Sequence, residues 1–260
     1  MANARRPVIA GNWKMFKTTH EATTFVESLW QKVQSLNSAE LPDIVICPPF
    51  TALASVQTCI AKLGAPFLVA AQTMESRDNG AYTGEISPLM LADLGIQWVV
   101  LGHSERRQYF NETDETVAQK TVAALKHGIT PIVCVGEQLM ERENGLTDAV
   151  IEQQVRAVLT QISAADLPSI VIAYEPVWAI GTGKVCEAPE ANRVCALIRH
   201  FVSEYGDAKQ TRVLYGGSVK ADNTQALMGQ SDIDGGLVGG ASLEAESFVG
   251  IIKQACLVKA

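Results

Sequence analysis

The sequence predicts an α/β fold, a single (β/α)8 barrel, and three observations carry that prediction. Eight short β-branched runs recur along the 260 residues, apolar throughout rather than alternating, as parallel strands buried on both faces must be. Amphipathic helical segments lie between them, and no Pro/Ser-rich linker or charge block divides the chain, so residues 1–260 read as one domain. Apolar residues make up 47% and charged residues 19%, which supports a large core and argues against intrinsic disorder. A doubly wound open sheet shares this periodicity and remains the competitor. Two of its usual marks are missing: Gly181-Thr182-Gly183-Lys184 lacks the upstream glycine and following Ser/Thr of a P-loop, and no Gly-x-Gly-x-x-Gly occurs.

Val8 to Ala10 opens the first unit. The helix after it begins at Thr18-Thr19-His20-Glu21, which has the spacing of a capping box, and Phe25, Leu29, Val33 and Leu36 share its inner face. Ile44 to Cys47 is the second strand; its helix carries Leu53, Val56, Cys59, Ile60 and Leu63 and stops at Gly64. After Phe67 to Ala71 comes a long loop, Gln72 to Glu85, then a helix capped by Ser87-Pro88 and ended by Gly95. Trp98 to Leu101 is followed by Val117, Thr121, Ala124 and Leu125, closed by Gly128. Ile129 to Val135 precedes a helix marked by Ile151, Val155, Val158, Leu159 and Ile162. Ile170 to Ala173 precedes one that begins near Pro189 and uses Val194, Leu197, Ile198 and Phe201. Arg212 to Leu214 and Gly236 to Val238, with short helices at Asn223 to Met228 and Leu243 to Ile252, complete the set.

Lys and Arg total 21 against 28 Asp and Glu, a net charge of −7, which fits no nucleic-acid partner, since binding there needs clustered positive charge. Small anions remain possible, because oriented backbone N–H groups bind them without net charge. No run approaches the roughly 18 apolar residues of a membrane span, and the first apolar stretch is too short for a signal peptide. The six cysteines show neither a Cys-x-x-Cys pair nor zinc-like spacing, so the expectation is a reduced, soluble, cytoplasmic protein with no metal.

In a barrel the chemistry sits at the C-terminal ends of the strands. Those ends read Gly11-Asn12-Trp13-Lys14, Gly102-His103-Ser104-Glu105, Tyr174-Glu175-Pro176, Tyr215-Gly216-Gly217-Ser218 and Gly239-Gly240-Ala241-Ser242. Together they bring a lysine, a histidine, a carboxylate and two glycine-rich turns to one mouth, the components of acid–base work on a small phosphorylated substrate. Each has a plainer reading. A strand-end histidine is more often structural, a glutamate there more often a cap or ion-pair partner, Lys14 alone a surface lysine, and Cys134 a core residue. His20, His127 and His200 fall within or at the ends of predicted helices.

Asn12-Trp13-Lys14, Leu101-Gly102-His103-Ser104-Glu105-Arg106-Arg107, the run Ala173-Tyr174-Glu175-Pro176-Val177-Trp178-Ala179-Ile180-Gly181-Thr182-Gly183-Lys184 and Tyr215-Gly216-Gly217-Ser218 together resemble the triosephosphate isomerase family. The match continues through Gly80-Ala81-Tyr82-Thr83-Gly84-Glu85 and Gly235-Gly236-Leu237-Val238-Gly239-Gly240-Ala241-Ser242-Leu243, covering essentially the whole chain in order. It implies a TIM barrel that interconverts dihydroxyacetone phosphate and glyceraldehyde 3-phosphate through an enediolate, without a cofactor or metal. By resemblance, Glu175 is the base and a neutral His103 the electrophile, Lys14 supplies positive charge, Asn12 polarises, and Glu105 supports. Phosphate would meet backbone N–H groups of Gly181, Ser218, Gly239 and Gly240, with a short helix starting after Gly240. Pro176, Val177, Trp178, Ala179, Ile180, Gly181, Thr182, Gly183 and Lys184 resemble the closing lid, with Tyr215 and Ser218 as its latch.

The resemblance also implies a homodimer in which the Gln72–Glu85 loop reaches the neighbouring subunit. Thr83 would approach the neighbour's Asn12 and Lys14, Met15 would line the receiving pocket, and Glu85 and Arg106 would brace the loop in its own subunit. Departures are few: Lys184-Val185-Cys186 at the second hinge, where small residues are commoner, an individual Met74–Asn79 segment, and Phe16-Lys17-Thr18 where many relatives carry Asn-Gly. Other functions fit less well. A Schiff-base aldolase would place its lysine in a late strand, a metal-dependent epimerase would need clustered His/Asp ligands, and a phosphate-binding scaffold would need neither Glu175 nor His103.

Overall fold

A computed structural model describes residues 5–36, 41–180, 184 and 186–258. Its strands are β1 (Val8–Asn12), β2 (Asp43–Cys47), β3 (Phe67–Ala71), β4 (Trp98–Leu101), β5 (Thr130–Val135), β6 (Val171–Tyr174), β7 (Arg212–Tyr215) and β8 (Gly235–Val238). Each pairs in parallel with its sequence neighbour, and β8 returns to β1, with Val8 opposite Gly235 and Gly11 opposite Val238. A closed ring of parallel strands is the (β/α)8 TIM barrel and removes the open-sheet alternative. Glycine is required at this seam: Gly235 has φ +148°, and a Cβ there would lie 1.9 Å from the Val8 carbonyl oxygen.

The helices are α1 (Thr19–Val33), α2 (Phe50–Leu63), α3 (Pro88–Asp93), α4 (Ser104–Phe110), α5 (Asp114–Lys126), α6 (Leu139–Glu143), α7 (Thr147–Leu159), α8 (Ala188–Ser203), α9 (Thr224–Met228) and α10 (Ala245–Val258). The caps read from sequence form as expected. Thr18 and Glu21 make a reciprocal capping box, Ser87 accepts the Met90 N–H, and Gly64 ends α2 in the left-handed conformation. Two short helices were not legible beforehand. Helix α6 buries no residue and α4 only Ser104, so neither carries an apolar stripe.

Two core layers explain the unbroken apolar strands. Val8, Ala10, Val45, Val100, Ile132, Cys134 and Ala173 fill the barrel, while Ile9, Ile44, Ile46, Val99 and Val133 pack outward on the helices. Cys134 is thus core, and burial pushes its thiol well up. At the N-terminal end the buried Asp234 carboxylate accepts from Arg5 and Arg199, both at 2.7 Å, and from the Val213 N–H at 2.9 Å, tying the last strands to the chain start. In the turn after β1, Lys17 has φ +75° where the family resemblance places glycine. Its ammonium lies 5.6 Å from the Trp13 ring centre and 5.0 Å from that of Phe25, a cation–π contact that offsets part of the strain. No helix among the described residues is long and apolar enough to cross a membrane.

Candidate active site

Asn12, Lys14, His103, Glu175, Ser218, Gly239 and Gly240 line one cavity of about 300 Å³ at the C-terminal mouth of the barrel. Asn12 ends β1, and its Oδ1 accepts the Lys14 N–H at 3.0 Å. That bond turns the chain at Lys14, which holds φ +53°, a conformation costing a non-glycine residue about 1 kcal/mol or more. Gln72 secures the same turn from β3, its Nε2 donating to the carbonyls of Lys14 and Cys47, each at 2.8 Å. The Lys14 ammonium lies 2.5 Å from Glu105 Oε1; Glu105 stands behind the lysine rather than in the cavity wall.

His103 follows β4 and caps α4. Its Nδ1 accepts the Glu105 N–H at 3.2 Å, so that nitrogen is bare and the ring proton belongs on Nε2. Nε2 faces Glu175 Oε1 at 3.0 Å. Glu175 leaves the end of β6, is 2% exposed, and its Oε2 accepts the Ser104 N–H at 2.9 Å. Its backbone N–H donates to Val135 at 2.7 Å, and Gly216 leaves room for its side chain, since a Cβ there would lie 2.9 Å from Glu175 Cγ. A buried carboxylate beside a neutral imidazole N–H, with an ammonium in the same cavity, can move a proton at carbon while an adjacent oxygen is polarised.

In the same cavity Gly239 and Gly240 present open backbone: a Cβ on Gly239 would meet only Lys14, at 3.5 Å, and one on Gly240 would meet nothing. The helix expected after Gly240 is a three-residue 3-10 turn, Gly240–Ser242, with α10 beginning only at Ala245. Its short span follows from Ser242, whose hydroxyl and N–H both bond back to the Gly239 carbonyl. Among the described residues no group of three or more His, Cys, Asp or Glu is placed to hold a metal ion.

The family model for triosephosphate isomerase matches residues 7–255. The chain belongs to the triosephosphate isomerase family. It is 52% identical over 252 residues to the triosephosphate isomerase of Trichlorobacter lovleyi, covering 96% of this chain and 98% of that one. With the enzyme of Thermoanaerobacter pseudethanolicus it shares 50% identity over 251 residues, 95% of this chain and 99% of the relative. The corresponding figures for Gloeobacter violaceus are 50% over 248 residues, 95% and 98%.

Of the lid expected from this family, Pro176 to Ile180 and Lys184 are described; Gly181, Thr182, Gly183 and Val185 lie outside the described residues. Val177 to Ala179 form a 3-10 turn, and Ile180 reaches the cavity. The turn is pinned by Glu137, a residue the sequence reading missed. Glu137 is 0% exposed, and its Oε1 accepts from Trp178 Nε1 at 2.7 Å and the Tyr174 hydroxyl at 3.1 Å, while Arg142 stacks 4.2 Å from the Trp178 ring. Burial pushes the Glu137 carboxyl above the usual range, against the hydrogen bonds that favour its charge. One signal could have found it: like Glu175, it is a lone carboxylate just beyond the C-terminal end of a strand. Cys186, in the unusual second hinge, is buried, which raises its thiol to about 12 and leaves it unreactive. Tyr215 is buried and Ser218 exposed at the rim.

The Gln72–Glu85 loop is held within its own chain. Glu75 N–H donates to Ile86, Arg77 bonds Glu75 at 2.7 Å while stacking on Tyr82, and Asp78 bonds His127 at 2.7 Å and Lys126 at 2.9 Å. Two residues were expected to brace the loop in its own subunit, Arg106 and Glu85. Arg106 turns inward to Glu112 at 2.7 Å, and Glu112 accepts from Thr73 at the loop's root, whereas Glu85 is exposed outside that network. Met15 is 94% exposed and Thr83 is exposed as well.

Proposed function

We propose that this chain interconverts dihydroxyacetone phosphate and glyceraldehyde 3-phosphate through an enediolate, with Glu175 as base and His103 as electrophile. The supporting observation is the 3.0 Å approach of Glu175 Oε1 to His103 Nε2 inside the cavity that also holds Lys14. Both carboxylate oxygens are engaged, one by His103 and one by Ser104. A substrate carbonyl that takes the Nε2–H for itself releases Oε1 to abstract the neighbouring C–H proton. The developing oxyanion then faces the Nε2–H and the Lys14 ammonium, with Asn12 beside them; Glu175 returns its proton to the adjacent carbon while His103 gives Nε2–H to the oxyanion and takes the hydroxyl proton from the neighbouring oxygen, which becomes the new carbonyl. Glu105 holds Lys14 in place. Only protons move, so the reaction needs no cofactor.

Phosphate binds the backbone N–H groups of Ser218, Gly239, Gly240 and the lid's Gly181. Closing residues 176–184 excludes water from the intermediate. The chain, 1–260, works as one domain in a cytoplasmic homodimer that binds no nucleic acid. Its Met15 and Thr83 meet the neighbouring subunit, and the loop is braced from within by Arg106 through Glu112. A coupled assay with glyceraldehyde 3-phosphate tests the chemistry. Glu175→Gln removes the proton acceptor at constant volume and should lower turnover by about 10³-fold, within the range supplied by a general base. A variant within about tenfold of wild type would exclude Glu175 as the base.

A further inference from the structure

The cavity must accept a phosphate dianion although its own charges favour it poorly. The chain carries a net charge of −7, Glu175 places a carboxylate in the wall, and Lys14 is already ion-paired to Glu105 at 2.5 Å. Lys220 is the other charged residue in that wall, exposed, and in no ion pair among the described residues. Its backbone, by contrast, is fully committed. The N–H donates to Asn223 Oδ1 at 2.8 Å, and the carbonyl accepts from the N–H groups of Asn223 and Thr224 and from the Thr224 hydroxyl at 2.6 Å. Asn223 Nδ2 closes the turn onto the Ser218 carbonyl at 2.9 Å. An ordinary surface lysine hangs from a backbone with no stake in the site; this one is fixed at the rim, two residues from Ser218.

We propose that Lys220 is a substrate-steering cation, an uncompensated charge at the rim that draws phosphorylated trioses into the cavity. This rests on the isomerase reading for the identity of the substrate. Its action is long-range attraction rather than contact with the reacting atoms. One positive charge acting on a dianion through water at about 8 Å, a distance on the scale of the cavity, raises local occupancy about fivefold. Attraction of this kind fades as the Debye length shrinks from about 30 Å at 0.01 M salt to about 3 Å at 1 M.

The test compares Lys220→Gln, Lys220→Arg and Lys220→Glu with wild type across that salt range, after circular dichroism has shown that all fold. At low salt Lys220→Gln should lose about fivefold in kcat/KM while kcat holds, Lys220→Glu should lose more, and Lys220→Arg should match wild type. At 1 M salt the four should converge. Inorganic phosphate, titrated by calorimetry at low salt, should bind the Gln variant correspondingly more weakly. That arm tests Lys220 even in a protein that turns over no triose phosphate. A Gln variant with unchanged kcat/KM at low salt, a loss that persists at 1 M, or an Arg variant that fails to restore the rate would overturn the proposal.

Discussion

Gly136→Ala tests how tightly the barrel positions its base. Gly136 follows β5, and a Cβ at this position would lie 1.7 Å from the carbonyl oxygen of Glu175 and 2.7 Å from its carbonyl carbon. Neither atom is the end of a flexible side chain; both belong to the backbone that carries the base. Relief therefore requires the β5 and β6 ends to part by more than about 1 Å, and a displacement of that size costs about 100-fold in rate when it misplaces a reacting group. Overpacking adds a stability cost of about 1–3 kcal/mol. Gly128→Ala is the control. Gly128 lies at the opposite end of β5 with φ +68° and open space around its Cβ position, so that variant bears backbone strain of about 1–2 kcal/mol without touching the site. Steady-state kinetics and urea unfolding on both variants separate the two effects. Gly136→Ala should lose turnover far beyond its stability loss, and Gly128→Ala should lose stability alone. A folded Gly136→Ala with wild-type kcat would refute the reasoning.

Two further outcomes are expected. Met15→Arg places an unpaired charge in the proposed subunit contact and should shift the protein toward monomer with a parallel loss of activity on dilution; sedimentation across a dilution series reads both, and an undiluted, fully active monomeric wild type would contradict the homodimer. Burial pushes the Glu112 carboxyl up, but hydrogen bonds from Arg106 and Lys120 hold it below its usual range, so its stabilisation is complete above the ordinary glutamate pKa of about 4.3 and is lost as pH falls through the lower folded value. Glu112→Gln should therefore cost about 3 kcal/mol at neutral pH, with the gap to wild type narrowing under acid; urea midpoints between pH 7 and pH 3 measure it, and a constant gap would count against the charge.

Local rules made much of the barrel readable. The eight strand runs, the Thr18–Glu21 box, the Ser87 cap and the αL stop at Gly64 all depend on neighbours a few residues away, and all recur in the structure. Helices α4 and α6 escaped because they bury almost nothing, so no apolar stripe marks them. Asn12, Lys14, His103 and Glu175 were identifiable as strand-end residues, and the family motifs raised them above their plainer readings.

Residue order and periodicity therefore determined which segments are strands, which are helices, and which side chains stand at the barrel's mouth. What they could not contain is the set of contacts made across the ring. Gln72 joins the Lys14 turn to β2, Ser104 and His103 hold the Glu175 carboxylate over a separation of about 70 residues, and Glu137 pins Trp178. Arg106 bonds Glu112, which also accepts from Thr73 and Lys120. A pattern of period 2 or 3.6 encodes the face a side chain takes, whereas its partner depends on the three-dimensional path of the whole chain.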